Sequence, residues 1–249
     1  MDEFPKIFTV DGGVFLGQDP KSSLSACAED IVKIMDNNNI DMAIAASLRS
    51  VFGSQAEGNR EILDSLKGFR QRLMPMAALS PLSFVAGKGT VKSLAKEGFK
   101  IIGAFPFYQS WPAGIRVFRK MAEEISEAGL ALQVAVGNWE GLTAVACCLG
   151  GMDMPVLIRW VRGGGYLYLT EEIALAHEYG NLYFDVGNMT TVGGIAKLCS
   201  EIGADRLYIS SNMPLVYERS VYYRVYAEEL SFEERKKVCG VTLSKILNL

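Results

Sequence analysis

The sequence predicts a single (β/α)8 TIM barrel over residues 1–249, with one extra helix at the C-terminal end. Three observations predict it. The chain has 249 residues, the usual size of eight βα units. Short apolar runs alternate with amphipathic stretches from one end to the other, which argues for a parallel sheet closed on itself. Runs such as Leu130–Val136 (LALQVAV), Val156–Val161 (VLIRWV) and Leu182–Val186 (LYFDV) are almost continuously apolar, as strands covered on both faces must be.

In chain order, strands are expected at Ile7–Phe15, Met42–Ser47, Arg72–Leu79, Lys100–Phe105, Ala131–Val136, Val156–Val161, Leu182–Val186 and Arg206–Ser211. Helical patterns fall at Leu24–Asn37, Ala56–Leu66, Val91–Glu97, Ile115–Ala128, Glu140–Leu149, Glu171–Tyr179, Ile195–Ile202 and Val216–Glu229. Gly98, Gly129 and Gly203 each follow a helical run and precede a strand, as a left-handed C-cap does. Ser231-Phe232-Glu233-Glu234 reads as a capping box opening a final helix to about Leu247. No linker, low-complexity tract or short repeat divides the chain.

Hydrophobic residues make up 49% of the chain and charged residues 21%, ordinary for a globular domain with a sizeable core. A formal charge of −3 provides no global attraction for nucleic acid or an anionic membrane, so neither is expected as a partner. Met1–Pro5 does not open a signal peptide, and no apolar run approaches the length of a membrane span. The five cysteines, Cys27, Cys147, Cys148, Cys199 and Cys239, form no C-x-x-C pair. Reduced thiols in the cytoplasm are the expectation, with Cys147 and Cys148 buried in helix packing.

A parallel barrel does its chemistry at the C-terminal ends of its strands. Those ends hold Asp11 and Phe15 (strand one), Arg49 (two), Ser80-Pro81 (three), and Phe105 and Tyr108 (four). Gly137-Asn138-Trp139 follows strand five, Trp160 and Arg162 strand six, Asp185 and Asn188 strand seven, and Asn212 strand eight. Asp185 lies within a buried strand and must be paired or hydrogen-bonded. It reads as an acid/base group or as a structural acceptor for loop backbone, and Asp11 carries the same two readings. Arg49, Arg159 and Arg162 are the nearest cations; each suits an anionic ligand or an ion pair with Asp185, Asp11 or a loop glutamate. Gly163-Gly164-Gly165 would let a phosphate approach the backbone, or is simply a loop. Tyr222 and Tyr226 share a helical face, for packing or a subunit interface, in a cluster with Tyr217 and Tyr223. The single histidine, His177, falls on an outer helix, so Ser210-Ser211 cannot belong to a Ser–His–Asp triad.

Several segments together resemble the amidohydrolase-related group of metal-dependent hydrolase barrels, which includes decarboxylases. GNREILDSLKGFRQRLMPMAALSP resembles the family's helix and following F-x-P-F-A-x-V-N-P strand. EEISEAGLALQVAVG resembles A-x-E-x-G-L-P-V-x-I-H-x-G, and GADRLYISSNMP resembles G-A-D-R-L-L-F-G-S-D-x-P. LSFEERKKVCGVTLSKILNL resembles the closing helix, and the likeness spans nearly the whole chain. The resemblance implies the barrel fold and allows a homo-oligomer.

At each position where the family holds metal, this sequence departs from it. The D-x-H-x-H motif falls on Asp11 to Phe15, with Gly13 and Phe15 in place of the histidines. The strand-four, -five and -six positions are Phe105, Ala135 and Trp160, and the strand-eight aspartate is Asn212. None of these can donate to a metal as imidazole or carboxylate does, and a neutral amide cannot act as general base. No metal or cofactor is expected, and a carboxylate-only magnesium site lacks enough converging ligands. The expectation is a degenerate hydrolase-type barrel, a pseudoenzyme that binds a small molecule or a protein partner. Its alternative is a metal-independent hydrolase or lyase using Asp185 or Asp11 on a small anionic substrate held by arginine. Phe15, Phe105 and Trp160 closing the barrel mouth would favour an interaction role; inward Arg and Asp groups would favour a ligand.

Overall fold

Side chains alternate between two environments along each apolar run, and that alternation builds the barrel. In the computed structural model, which describes residues 6–87, 90–162 and 166–249, the strands are β1 Val10–Gln18, β2 Met42–Ser47, β3 Leu73–Pro75 continuing as Ala77–Ala78, and β4 Ile101–Ala104. β5 Ala131–Val136, β6 Val156–Trp160, β7 Leu182–Asp185 and β8 Leu207–Tyr208 complete the set. Each strand pairs in parallel with the next. Backbone bonds from Gly12 to Ile209 (2.8 Å), Asn212 to Gly13 (3.0 Å) and Phe15 to Met213 (2.8 Å) close β8 onto β1. The chain is a closed (β/α)8 barrel, as the sequence predicts.

The outer helices are α1 Ala28–Asn37, α2 Gln55–Ser65, α3 Thr90–Lys96 and α4 Arg116–Glu127. α5 Trp139–Leu149, α6 Tyr166–Glu178, α7 Gly194–Ile202 and α8 Glu218–Ala227 follow. α1 starts later than the sequence suggests, because Ser25–Ala26 pairs antiparallel with Gly17–Gln18. Short helical turns at Leu48–Phe52, Pro81–Ala86 and Pro106–Gln109, not expected from the sequence, follow β2, β3 and β4. Gly98, Gly129 and Gly203 take the expected positive φ, at 93°, 69° and 87°. The Ser231 capping box forms, and the segment after it continues through a π-helical turn at Lys237–Val241 into Thr242–Leu247.

Two apolar layers result. Val14, Ala43, Ile158, Trp160 and Phe184 face the helices, whereas Phe15, Ile44, Phe105, Ala135, Leu157 and Tyr208 fill the barrel interior. Leu243 and Leu247 of the last helix join the interior group and cover its floor. One expectation is corrected: Cys147 is exposed and Cys148 only half-buried, because Leu142, Val145, Ala146 and Leu149 take the inward face of α5. His177 is exposed on α6, as expected. The expectations for Met1–Pro5 and Gly163–Gly165 fall outside the described residues. Among the described residues no helix is long and apolar enough to cross a membrane.

Candidate functional site at the barrel mouth

Strand alternation decides which β6 side chain enters the mouth. Leu157 points inward and Ile158 outward, so Arg159 points inward and Trp160 outward. This corrects the placement of Trp160 in the pocket: its indole leaves the barrel and donates from Nε1 to Glu172 on α6 at 2.6 Å. A one-residue step along a strand reverses the side a side chain faces, which is why Arg159 and not Trp160 enters the mouth.

Arg159 is 0% exposed. Its Nε donates to Asn212 Oδ1 at 2.8 Å, Nη1 to Gln133 Oε1 at 3.2 Å and Nη2 to the Gly13 carbonyl at 2.9 Å. The guanidinium lies 4.5 Å over the Phe15 ring. Gln133 in turn donates to the Gly12 carbonyl at 2.7 Å, so four strands contribute to one polar centre. Gly12 and Gly13 together oppose the single residue Ile44 in a β-bulge, where the register moves from Asp11↔Ala43 to Val14↔Ala45. A Cβ at Gly13 would lie 2.2 Å from Arg159 Cζ, and one at Gly12 2.6 Å from the Tyr208 ring. These glycines are the space that the interior side chains occupy. Burial lowers the Arg159 pKa, while Tyr108, Asp185 and Asp11 favour its charged form.

Asp11 and Asp185 flank this centre, both fully buried. Asp11 accepts from the Gly13 amide (2.9 Å), the Ser211 amide (3.0 Å) and the Tyr222 hydroxyl (2.6 Å). Asp185 accepts from the amides of Gly187 (2.8 Å) and Ser210 (2.9 Å) and from Ser210 Oγ (2.5 Å). Burial raises both pKa values, that of Asp185 to about 7, against the lowering effect of these bonds. Each carboxylate ties its strand end to the next turn of chain, a structural acceptor's arrangement. Tyr222 faces inward on α8, and Arg235 lies over the Tyr226 ring.

Above Arg159 the mouth is aromatic. Phe15 and Phe105 are 0% and 1% exposed and pack on Tyr108, which also touches Phe52 and Phe107. Arg162 is exposed and covers Phe107 at 4.7 Å, and Lys21 covers Phe52 at 4.8 Å. Arg159 and Arg162 act electrostatically on half-buried Tyr108, whose pKa burial nonetheless raises. Asn188 donates to the Trp160 carbonyl at 2.8 Å and braces the wall. Arg49 does not reach this group: it pairs with Glu57 on α2, the loop-glutamate alternative, because the turn at Leu48–Phe52 carries it outward.

Gln133, Tyr208 and Glu172 were missed as members of the site. Gln133 had a signal, a polar residue inside an apolar strand, the same one that singled out Asp185. Tyr208 lay inside the expected strand Arg206–Ser211 and was not singled out. Glu172, on a helix of mixed pattern, had no signal.

No family model matches the sequence, and no curated protein matches it either. Solved structures do. A 5-carboxyvanillate decarboxylase from Novosphingobium aromaticivorans, complexed with manganese and 4-hydroxy-3-methoxy-5-nitrobenzoic acid, is similar at a TM-score of 0.76 and 12% identity, over 98% of this chain and 96% of its own. A 2,6-dihydroxybenzoate decarboxylase from Rhizobium gives 0.73 and 12%, over 98% and 99%. A protein named amidohydrolase II gives 0.77 and 12%, over 97% and 100%. This chain shares the (β/α)8 barrel fold of these structures.

One of these structures contains manganese, which raises the question of fit. The residues present here do not fit a metal. The Arg159 guanidinium fills the space into which a side chain at position 13 would project, and it carries its own positive charge. The oxygens that face it, from Gly13, Gln133 and Asn212, are neutral and already engaged. Among the described residues no three His, Cys, Asp or Glu side chains are grouped as a metal requires.

Proposed function

We propose that this protein is a degenerate member of the amidohydrolase-related group, in which a fixed arginine replaces the metal and the barrel mouth binds a small organic anion without metal-dependent catalysis. The observation that carries this reading is the position of Arg159, fully buried with its guanidinium where the family's first strand-one histidine would reach. A guanidinium is a permanent cation that can orient an anion. It has no open coordination position and cannot generate hydroxide from water as a metal does.

The rim supports an anionic, aromatic ligand. Arg162 and Lys21 stand over aromatic rings beside Tyr108, and two structural relatives are decarboxylases of 5-carboxyvanillate and 2,6-dihydroxybenzoate. Calorimetry with those two acids tests the reading. One-to-one binding is expected, weakened about tenfold by Arg162→Ala, as loss of a guanidinium–carboxylate contact implies. Carbon dioxide release should be absent with or without manganese. Stoichiometric manganese uptake with manganese-dependent carbon dioxide release would overturn it, and so would failure of both acids to bind.

The position of Asp185, pushed up to about 7, favours a second reading as a metal-independent lyase with Asp185 as acid. Against it, both Asp185 oxygens are engaged by Gly187 and Ser210. Turnover of either acid that Asp185→Asn abolishes would establish this alternative.

A further inference from the structure

Glu172 is fully buried on α6, behind the wall of the mouth. Its Oε1 accepts the Trp160 indole N–H at 2.6 Å, and its Oε2 has no hydrogen-bond partner among the described residues. A neutral carboxyl tolerates that position; a carboxylate with one donor and no cation does not. Among the described residues the charged group that acts on it is Asp185, from β7, and it repels. Arg159, next to Trp160 on β6, projects to the other side of the sheet. On the α5 side Thr143 engages the neighbouring Glu171, and on the α7 side Glu201 pairs with Lys197 while feeling His177.

Trp160 connects this carboxyl to the mouth. Its carbonyl accepts from Asn188 Nδ2 at 2.8 Å and Asn212 Nδ2 at 3.2 Å, and Asn212 Oδ1 accepts from Arg159 Nε at 2.8 Å. A continuous run of contacts thus leads from Glu172 through Trp160 and Asn212 to Arg159. The Trp160 ring is further held edge-on by Tyr168, with centroids 4.8 Å apart.

We propose that Glu172 is a proton-operated latch on the mouth: neutral, it stays buried and pins the Trp160 indole between β6 and α6; ionised, it accepts the indole more strongly but holds a charge that one donor cannot compensate in a buried site, so it turns out toward water, gives up the indole and loosens the Asn212–Arg159 arm. Burial, reinforced by Asp185 and opposed by the Trp160 bond, sets the carboxyl to about 8, so the latch opens in mildly alkaline solution. This inference does not depend on which ligand the mouth takes.

The test is 19F NMR of the full chain labelled with 5-fluorotryptophan, titrated between about pH 6 and 10. The three tryptophans, Trp111, Trp139 and Trp160, give separate probes, and Trp160→Phe identifies the Trp160 resonance. That resonance should move with a midpoint near 8, and its acrylamide accessibility should rise several-fold across the same range. In Glu172→Gln, an isostere that keeps an acceptor for the indole, the titration should vanish; in Asp185→Asn its midpoint should fall. A wild-type spectrum in which no resonance titrates overturns the proposal without any variant. A Trp160 titration that persists in Glu172→Gln also overturns it, with Glu172→Met as the second variant should the first not fold.

Discussion

Replacing Gly13 with alanine tests whether Arg159 is the fixed centre of the mouth. The added Cβ would sit 2.2 Å from Arg159 Cζ, 2.3 Å from Nη1 and 2.7 Å from Nε. No pair of such atoms coexists at those distances, so the guanidinium must leave. It is held by three hydrogen bonds and the Phe15 face, and departure leaves Gln133 Oε1, Asn212 Oδ1 and the Gly13 carbonyl unpaired in a buried site. Breaking a buried charged network in this way costs about 3–5 kcal/mol. Arg159→Met, which removes the charge but keeps a flexible chain, should cost a similar ~3–5 kcal/mol for the same reason. Once the guanidinium is gone, the methyl group at position 13 has room, and the double variant should cost only about 1 kcal/mol more than Arg159→Met. Urea denaturation of the four proteins gives a double-mutant cycle with an expected coupling of about 2–4 kcal/mol. A Gly13→Ala cost below about 1 kcal/mol, or additive single effects, would refute the placement of Arg159.

The carboxylates supply two more predictions. Tyr222→Phe removes a 2.6 Å bond to the buried Asp11 carboxylate and should cost about 1.5–3 kcal/mol in urea melts; a change under about 0.5 kcal/mol would mean that the bond contributes nothing. Asp185 is raised from 3.8 to about 7, so the folded state keeps a proton that the unfolded chain has lost. Its stabilising contribution is full below the unfolded pKa and fades as pH rises toward 7, then stays flat. Between pH 5 and 7 wild type should therefore lose up to about 3 kcal/mol relative to Asp185→Asn; parallel stability profiles of the two proteins would sink this assignment.

The fold was legible because closure of a barrel depends on coarse properties: eight apolar runs, amphipathic stretches between them and glycine at helix ends. Met42–Ser47 and Ala131–Val136 match the observed strands to the residue. What the sequence shows less well is which way a side chain points at a strand end. Trp160 looked like the group that fills the mouth, yet the neighbouring Arg159 does so, because alternation from Leu157 fixes the parity. Arg49 looked as close to the site as Arg159, but a short helical turn after β2 turns it to Glu57. Such turns depend on a few local contacts and leave little periodic trace. Glu172 is the extreme case, since its importance comes from a contact with Trp160 twelve positions earlier in the chain.

Arg159 also explains why the residues at the mouth belong together. A side chain at position 13 and a guanidinium from position 159 cannot share the same space, so glycine at 13 and arginine at 159 go together for steric reasons. Once the cation is part of the chain, its acceptors need no negative charge. An amide at 212 and an amide at 133 satisfy it, and an aspartate at 212 would add a third buried carboxylate beside Asp11 and Asp185. Those two aspartates retain their strand-end places because their partners are backbone amides and hydroxyls of the turns that follow. They hold the mouth's shape whether or not any reaction occurs there. A barrel assembled in this way fixes positive charge to its scaffold, and a guanidinium has no open coordination position for water, which is the physical basis of the anion binding proposed above.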